Sequence, residues 1–451
     1  MTPNPAIMKS VEQLGYRVTV GDVASQAGLE INLAQQGLLA LASDAGGHLQ
    51  VSDTGEIVYL FPENFRSILQ NKYWKLRLKQ WWEKVWKVLF YLIRISFGIV
   101  LIVSILLMMI AIAVIVIAIS SSRDNDNNSN SGNSGGGISF FPVFWFSDIF
   151  YVFTPDYEGN YYERQRRRAN SAESSQKKMN FLEAVFSFLF GDGNPNFNLE
   201  ERRWQEIGTV IRNNGGSVIA EQIAPYLDNI DRFNQENEDY IIPVLARFNG
   251  YPQVSPEGDI IYYFPELQVT AKNQTENFRQ NNSSRMDSLP VASYLKEKLW
   301  RFSEAESGQI LLATGLGAAN IILALVLGSL LKEQIVTQLG GLVAFVHSIY
   351  WILLGYGIGF LAIPLIRYLW IQWRNSKIEQ RNLQRVARAE YLNLNQHEFQ
   401  DKLAYAHQFA AEKVITDQDI TYSTEKELLE QEIEQSDKID EEWRRRLESG
   451  S

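Results

Sequence analysis

The stretch Gln50-Val51-Ser52-Asp53-Thr54-Gly55-Glu56-Ile57-Val58-Tyr59-Leu60-Phe61-Pro62-Glu63 returns 203 positions later. There it reads Gln253-Val254-Ser255-Pro256-Glu257-Gly258-Asp259-Ile260-Ile261-Tyr262-Tyr263-Phe264-Pro265-Glu266, with nine of fourteen positions identical. The spacing is too wide for a solenoid, so the repeat reads as two copies of one small domain. In each copy alternating strands flank a glycine, and a proline ends the second strand, which is a β-hairpin pattern.

The correspondence extends upstream at an offset of 200. Val18-Thr19-Val20 and Val218-Ile219-Ala220 read as short extended segments, each feeding a helix. Before them, residues 11–16 and 204–211 have helical apolar spacing. Helix, strand, helix, helix, hairpin is the order of a winged helix. The expected fold class is therefore α+β, with two winged-helix-like domains at 1–70 and 200–272, joined to α-helical transmembrane segments and a helical C-terminal tail. A generic α+β fold is the alternative.

Charge decides what such domains can hold. Over residues 1–63, Lys9 and Arg17 face seven carboxylates, and over 204–266 Arg212, Arg232 and Arg247 face ten. The third helix of the first copy, about residues 31–43, carries Gln35 and Gln36 but no lysine or arginine. A surface that follows phosphates needs the opposite sign, so nucleic acid is disfavoured as a partner and a protein contact is favoured. The aromatic and acidic residues of the repeat, Tyr59, Phe61, Glu63, Tyr262, Phe264 and Glu266, are the candidate contact residues.

The 451 residues carry a net charge of -10 and no cysteine, which excludes disulfides, thiolate metal sites and an iron-sulfur cluster held by the chain's own thiolates. Residues 1–10 show no signal-peptide pattern, so the first domain is expected to stay in the compartment of synthesis. Residues 71–119 pass from a basic, tryptophan-rich flank into 97–119, which hold no charge and read as a transmembrane helix. Trp74, Trp81, Trp82 and Trp86 fit interfacial anchors, and Lys75, Arg77, Lys79 and Lys84 fit a positive-inside flank.

Residues 120–153 combine a Ser/Asn/Asp/Gly-rich connector with an aromatic membrane segment at 138–153, short for a span. Arg164, Arg166, Arg167 and Arg168 favour its crossing back, which would place both copies in one compartment. Within the linker 154–199, residues 181–190 form an amphipathic helix ended by Gly191, lying on the membrane or against the second domain. Gly191-Asp192-Gly193 reads as a turn rather than a phosphate or calcium loop. After the linker 273–300, a transmembrane hairpin occupies 301–370, with apolar blocks at 310–331 and 342–366.

Gly315, Gly317, Ala318 and Ala319 and Gly355, Gly357 and Gly359 supply small-residue spacings for close helix approach. Pro364 is expected to bend the last helix. His347 is a candidate intramembrane polar site, weighed against a plain interhelical hydrogen bond. The tail, 371–451, shows amphipathic helical spacing from Leu383 to Ala410, and Thr424 with Glu427 reads as a capping box for a helix over 425–447. His397 and His407 share no face with matching carboxylates. No catalytic, cofactor or metal residues are assigned.

The paired Tyr-x-Phe-Pro-Glu hairpins, the segment Phe-Leu-Glu-Ala-Val-Phe-Ser-Phe-Leu-Phe-Gly-Asp-Gly-Asn-Pro at 181–195 and the terminal membrane hairpin together resemble an uncharacterised membrane protein family of cyanobacteria and plastids. Plant relatives have carried an iron-sulfur-biosynthesis label, which a chain without cysteine does not support. The resemblance implies a thylakoid or plasma membrane location and transfers no catalytic pattern.

These readings converge on a non-catalytic, membrane-anchored adaptor or assembly factor, its soluble domains on the cytoplasmic side. Its expected partners are the lipid bilayer and a membrane protein or protein complex, with self-association left open. A transporter or channel accessory subunit, using a polar cavity around His347, Tyr350 and Tyr356, and a membrane-tethered transcriptional regulator are the alternatives.

Overall fold

A computed structural model describes residues 3–123, 179–228, 230, 237–271, 293–332, 339–395 and 397–427, with scattered positions from 429 to 444. The chain opens with α1 (Pro5–Gln13), β1 (Arg17–Thr19), α2 (Val20–Ala27), α3 (Ile31–Ala45), β2 (His48–Ser52), β3 (Ile57–Leu60), α4 (Phe65–Lys72) and α5 (Trp74–Arg123). It continues with α6 (Phe181–Phe190), α7 (Leu199–Asn213), β4 (Ser217–Val218), α8 (Ala220–Ile223), α9 (Ile242–Phe248), β5 (Tyr251–Val254), β6 (Ile260–Tyr263), α10 (Pro265–Gln268) and β7 (Val269–Ala271). Last come α11 (Ser307–Leu330), α12 (Leu342–Leu394), α13 (Gln400–Phe409), β8 (Lys413–Ile415) and β9 (Ile420–Ser423). This is a mixed α+β fold in two units: Met1–Glu83, Pro195–Leu299 and Asn375–Ser451 form one, Lys84–Asn194 and Trp300–Arg374 the other.

Both repeats lie in the first unit with the same topology. Helix, strand, helix, helix and hairpin build antiparallel sheets of order β1-β3-β2 and β4-β6-β5. The hairpins turn at Gly55 and Gly258, whose φ of 91° and 96° lie in the region only glycine enters freely. The first helix starts earlier than its apolar spacing indicates, because Asn4 accepts a hydrogen bond from Ala6 N at 2.9 Å and Pro5 suits the first turn. Helix α2 is set by a reciprocal cap. Asp22 N donates to Thr19 Oγ1 at 3.1 Å, and Thr19 N donates to Asp22 Oδ2 at 2.9 Å.

The copies share one core. Val11, Leu38, Tyr59 and Phe65 of the first belong to the same buried cluster as Ile207, Val218, Phe248 and Phe264 of the second. Each such side chain contributes roughly 1.5–3 kcal/mol when buried, so the repeats fold as one body and occupy one compartment. Small residues permit the close fit: a Cβ at Gly21 would collide with the carbonyl of Glu266, and one at Gly208 would lie 3.0 Å from Ser25 Cα.

The tail is helical to Leu394 and again over Gln400–Phe409, and departs from its helical expectation in the strands Lys413–Ile415 and Ile420–Ser423. Helix α13 packs on β4 and β6, β8 pairs in parallel with β7, and β9 joins the free edge of β2, making the first sheet β1-β3-β2-β9. Thr424 stands in a turn and exchanges hydrogen bonds with Leu49, whose N–H donates to Thr424 Oγ1 at 2.9 Å. Strand formation there depends on partners far away along the chain, Val269 for Lys413 in β8 and Gln50 for Ser423 in β9, which local periodicity does not record. Most of the expected helix at 425–447 lies outside the described residues.

The second unit holds the membrane-type helices. Three are long and apolar enough to span a bilayer: Trp81–Ser121 within α5, all of α11, and α12. Helix α12 runs for 53 residues through Pro364 and past the apolar block, since no glycine or proline interrupts the good helix formers between 365 and 394. Gly317 packs on Phe360 and Gly357 on Asn320 and Ile321, as small-residue spacing predicts, whereas Gly315 and Gly355 face open space. Helix α6 lies against Phe97 and Gly98 of α5.

The two ends of this bundle differ. Beside α6 lie the start of α11, where Gln309 Nε2 donates to Met179 O at 2.8 Å, and Arg367 of α12. Toward the other end, Met108 and Ile115 pack with Leu331 and Val343. The described chain thus leaves α5 at the end remote from α6 and resumes at Met179 beside it. The aromatic segment 138–153 and Arg164 to Arg168 lie outside the described residues.

Candidate functional site

The aromatic residues of the repeat are core. Tyr59, Phe61, Tyr262 and Phe264 are all buried, because each hairpin turns this side of its second strand onto the helices. Phe61 N donates to Tyr16 O at 2.8 Å, and Phe264 N to Gly216 O at 2.7 Å, closing each sheet onto the loop before its first strand. A solvent contact by these four rings is therefore corrected to a packing role. Glu63 and Glu266 are exposed, so the six residues do not form one patch.

Between the copies sits a polar knot that sequence reasoning missed. Asp22 is fully buried and pairs with Arg212 at 2.7 Å. Thr270 Oγ1 donates to Asp22 Oδ1 at 3.0 Å, and Arg212 Nη1 donates to Ser25 Oγ at 3.1 Å. Buried charges persist only when paired and hydrogen-bonded. The Thr-x-x-Asp capping pattern marks Asp22 locally; nothing local marks Arg212 as its partner.

A second knot fastens the extended part of α12. Arg381, Arg385 and Arg388 recur at helical spacing and share a face. Arg385, 1% exposed, donates to Asp228 Oδ1 at 3.0 and 2.6 Å, to Glu297 Oε1 at 2.8 Å and to Leu295 O at 2.8 Å. Arg381 grips Glu297 with two bonds of 2.8 and 2.7 Å. Burial alone would raise the Glu297 carboxyl, but these arginines outweigh it and hold it below its ordinary range.

A third cluster holds α13. Lys402 Nζ lies 2.9 and 3.0 Å from the Glu221 oxygens and 2.6 Å from Glu238, which also accepts from Tyr262 Oη at 2.7 Å. Burial pulls the ammonium down and the two carboxylates more than compensate, so it titrates above its ordinary value. In all three clusters opposite charges are paired, and these groups act as struts at neutral pH.

In the second unit His347 is exposed on the surface of α12. Five residues into its helix, it has no place in the buried helix seam. The polar pair inside that seam is Asn320 and Ser104, with Asn320 Nδ2 donating to Ser104 Oγ at 2.5 Å. Around it the cores are apolar, built of residues such as Leu101, Met108, Leu327 and Phe360. Asp192 of the Gly-Asp-Gly turn is a hub: it pairs with Arg94 at 2.9 Å and accepts from Ser187 Oγ at 2.5 Å and Glu304 N at 2.9 Å. Among the described residues no group of three or more His, Cys, Asp or Glu is placed to hold a metal ion.

On the first repeat the outer face of α3 is accessible. Leu33 and Leu39 are 47% and 53% exposed, beside Asn32, Gln35, Gln36, Ala40 and Ser43. This face carries no charge. It matches protein contact better than phosphate contact.

The chain is 39% identical over 442 residues to the uncharacterized chloroplastic protein At5g03900 of Arabidopsis thaliana, covering 98% of this chain and 81% of the plant protein. The chain belongs to the family of that plant protein. The match extends over both repeats and all three candidate spans. No protein-family model and no solved structure matches the chain.

Proposed function

We propose that this protein is a non-catalytic, membrane-anchored adaptor or assembly factor whose two repeats are winged-helix-like domains fused into one platform for a protein partner. The observation that carries this reading is the shared core, with Asp22 and Arg212 locked between the copies. A rigid composite surface beside a bilayer raises the local concentration of what it holds near membrane complexes. The uncharged face of α3 is the contact surface, in place of the buried aromatic residues. The chloroplastic relative supports a thylakoid or related membrane, and the basic residues flanking the spans support a cytoplasmic or stromal side for the platform.

The transporter-accessory alternative, centred on His347, Tyr350 and Tyr356, is less well supported: His347 lies on the helix exterior, Tyr350 and Tyr356 are half-buried against apolar clusters, and Tyr356 Oη donates to Phe97 O at 3.0 Å. A regulator that binds DNA would place α3 on phosphates without a basic side chain there.

Photo-crosslinking residues at Leu39 and Gln36, introduced into the full chain in its native membrane, test the proposal. One recurrent product from both positions, absent from a control at the exposed Ser67, is expected. Equal labelling from all three positions, or no product under several growth conditions, would remove the platform reading.

A further inference from the structure

At one end of the second unit an arginine lies over two indole rings. Trp370 and Arg374 stand four apart on α12 and so share a face. Trp300, on the segment leading into α11, brings a second indole to the same place, 5.4 Å from Trp370 between centroids at 81°. The Arg374 guanidinium lies 4.8 Å from the Trp300 ring and 5.1 Å from the Trp370 ring. Two indoles flank it, while no hydrogen-bond acceptor or carboxylate of the described residues engages it.

The neighbouring arginines differ. Arg94 has Asp192, Arg381 and Arg385 have Glu297, and Arg367, stacked on Phe302 at 4.5 Å, donates to the carbonyls of Ser187 and Phe188. Of this set, Arg374 alone has its donors without a partner among the described residues. It stands just beyond the apolar block 342–366, amid exposed Tyr368, Trp370 and Trp373, the side chains that settle at headgroup depth.

We propose that Arg374, clamped between Trp300 and Trp370, binds the phosphodiester of an anionic membrane lipid. A planar fork with parallel N–H groups matches a phosphate in a bidentate way that a lysine does not. Stacking removes the rotational freedom that the long side chain would otherwise lose on binding. The lipid source is favoured over a free anion because Tyr368, Trp370 and Trp373 place the guanidinium at the depth where a bilayer holds its headgroups at high local concentration.

The test uses the full chain in phosphatidylcholine nanodiscs, with phosphatidylglycerol added in steps and bound lipid read by native mass spectrometry. Wild type is expected to prefer phosphatidylglycerol by about 10-fold, and Arg374→Gln to lose most of that preference. Arg374→Lys should keep the charge but recover only part of the preference, and Lys87→Gln, which removes an exposed cation elsewhere in the unit, should retain it. Three results would overturn the site: Arg374→Gln binding like wild type, Lys87→Gln losing as much, or Arg374→Lys matching arginine. Displacement of the lipid by millimolar inorganic phosphate would identify an aqueous anion site instead.

Discussion

Asp22 of α2 and Arg212 of α7 meet at 2.7 Å inside the seam between the two repeats, with the Asp22 side chain fully buried. Removing one partner strands the other charge in a dry setting, which costs about 3–5 kcal/mol. Asp22→Ala and Arg212→Ala should each lower the unfolding midpoint of the full chain in detergent. Asp22→Leu with Arg212→Met should recover a large part of the loss. A double mutant no better than the sum of the singles would show that the pair is not coupled.

Glycine substitutions should divide by what surrounds them. Gly21→Ala places a methyl into the Glu266 carbonyl and forces α2 away from the second repeat; a loss of about 2 kcal/mol or more is expected. Gly315→Ala, whose Cβ meets open space in a helix, should be neutral or slightly stabilising. Thermal unfolding followed by circular dichroism compares the two.

The two hairpins protect their outer edges differently. Leu49 donates its N–H to Thr424 Oγ1, and β9 covers β2. The equivalent position in the second copy is Pro252, which has no N–H, and Val254 O accepts from Tyr405 Oη at 3.2 Å. Proline on an exposed edge blocks strand addition. Leu49→Pro should therefore release β9, seen as faster amide exchange and protease cleavage within residues 411–424. Unchanged protection there would show that the tail is held by other contacts.

Acid should loosen the turn of the first hairpin. Burial pushes the Glu56 carboxyl up, but hydrogen bonds from Thr54, Ser52 and Lys413 outweigh it and bring it down to about 2 from 4.5. A depressed folded value means that the stabilisation is full above pH 4.5 and is lost as pH falls toward 2. After allowance for solvent screening it amounts to about 1–2 kcal/mol. Glu56→Gln should be less stable than wild type at pH 7 and converge with it near pH 2, measured by denaturant unfolding across that range.

Topology offers a separate check. Accessibility probes placed at Ser121 and at Asp192 should report opposite membrane faces, because α5 ends remote from α6 while Asp192 sits beside Arg94. Labelling of both from one face would mean that α5 does not span the bilayer.

The element order of both repeats was legible in residues 50–63 and 253–266, because strand alternation, a turn glycine and a closing proline are local requirements. The candidate spans were equally plain from their apolar length. The candidate contact residues were not. Tyr59 and Phe264 look alike as exposed aromatic hooks or as core, since a strand has two faces and the sequence does not say which one the helices cover. Asn320 escaped notice beside His347 because its importance comes from the facing Ser104 and Gly357, not from its own charge.

The sequence by itself determined a duplicated α+β domain, an acidic balance and three blocks apolar enough for a bilayer, all properties of residues close together along the chain. Only the tertiary structure decided that the duplicates share one core, that Arg212 answers Asp22, and that β9 closes the edge of β2. Those pairings join segments from about 190 to more than 350 positions apart. Their energy comes from burying apolar surface and neutralising charge between partners that no local pattern identifies.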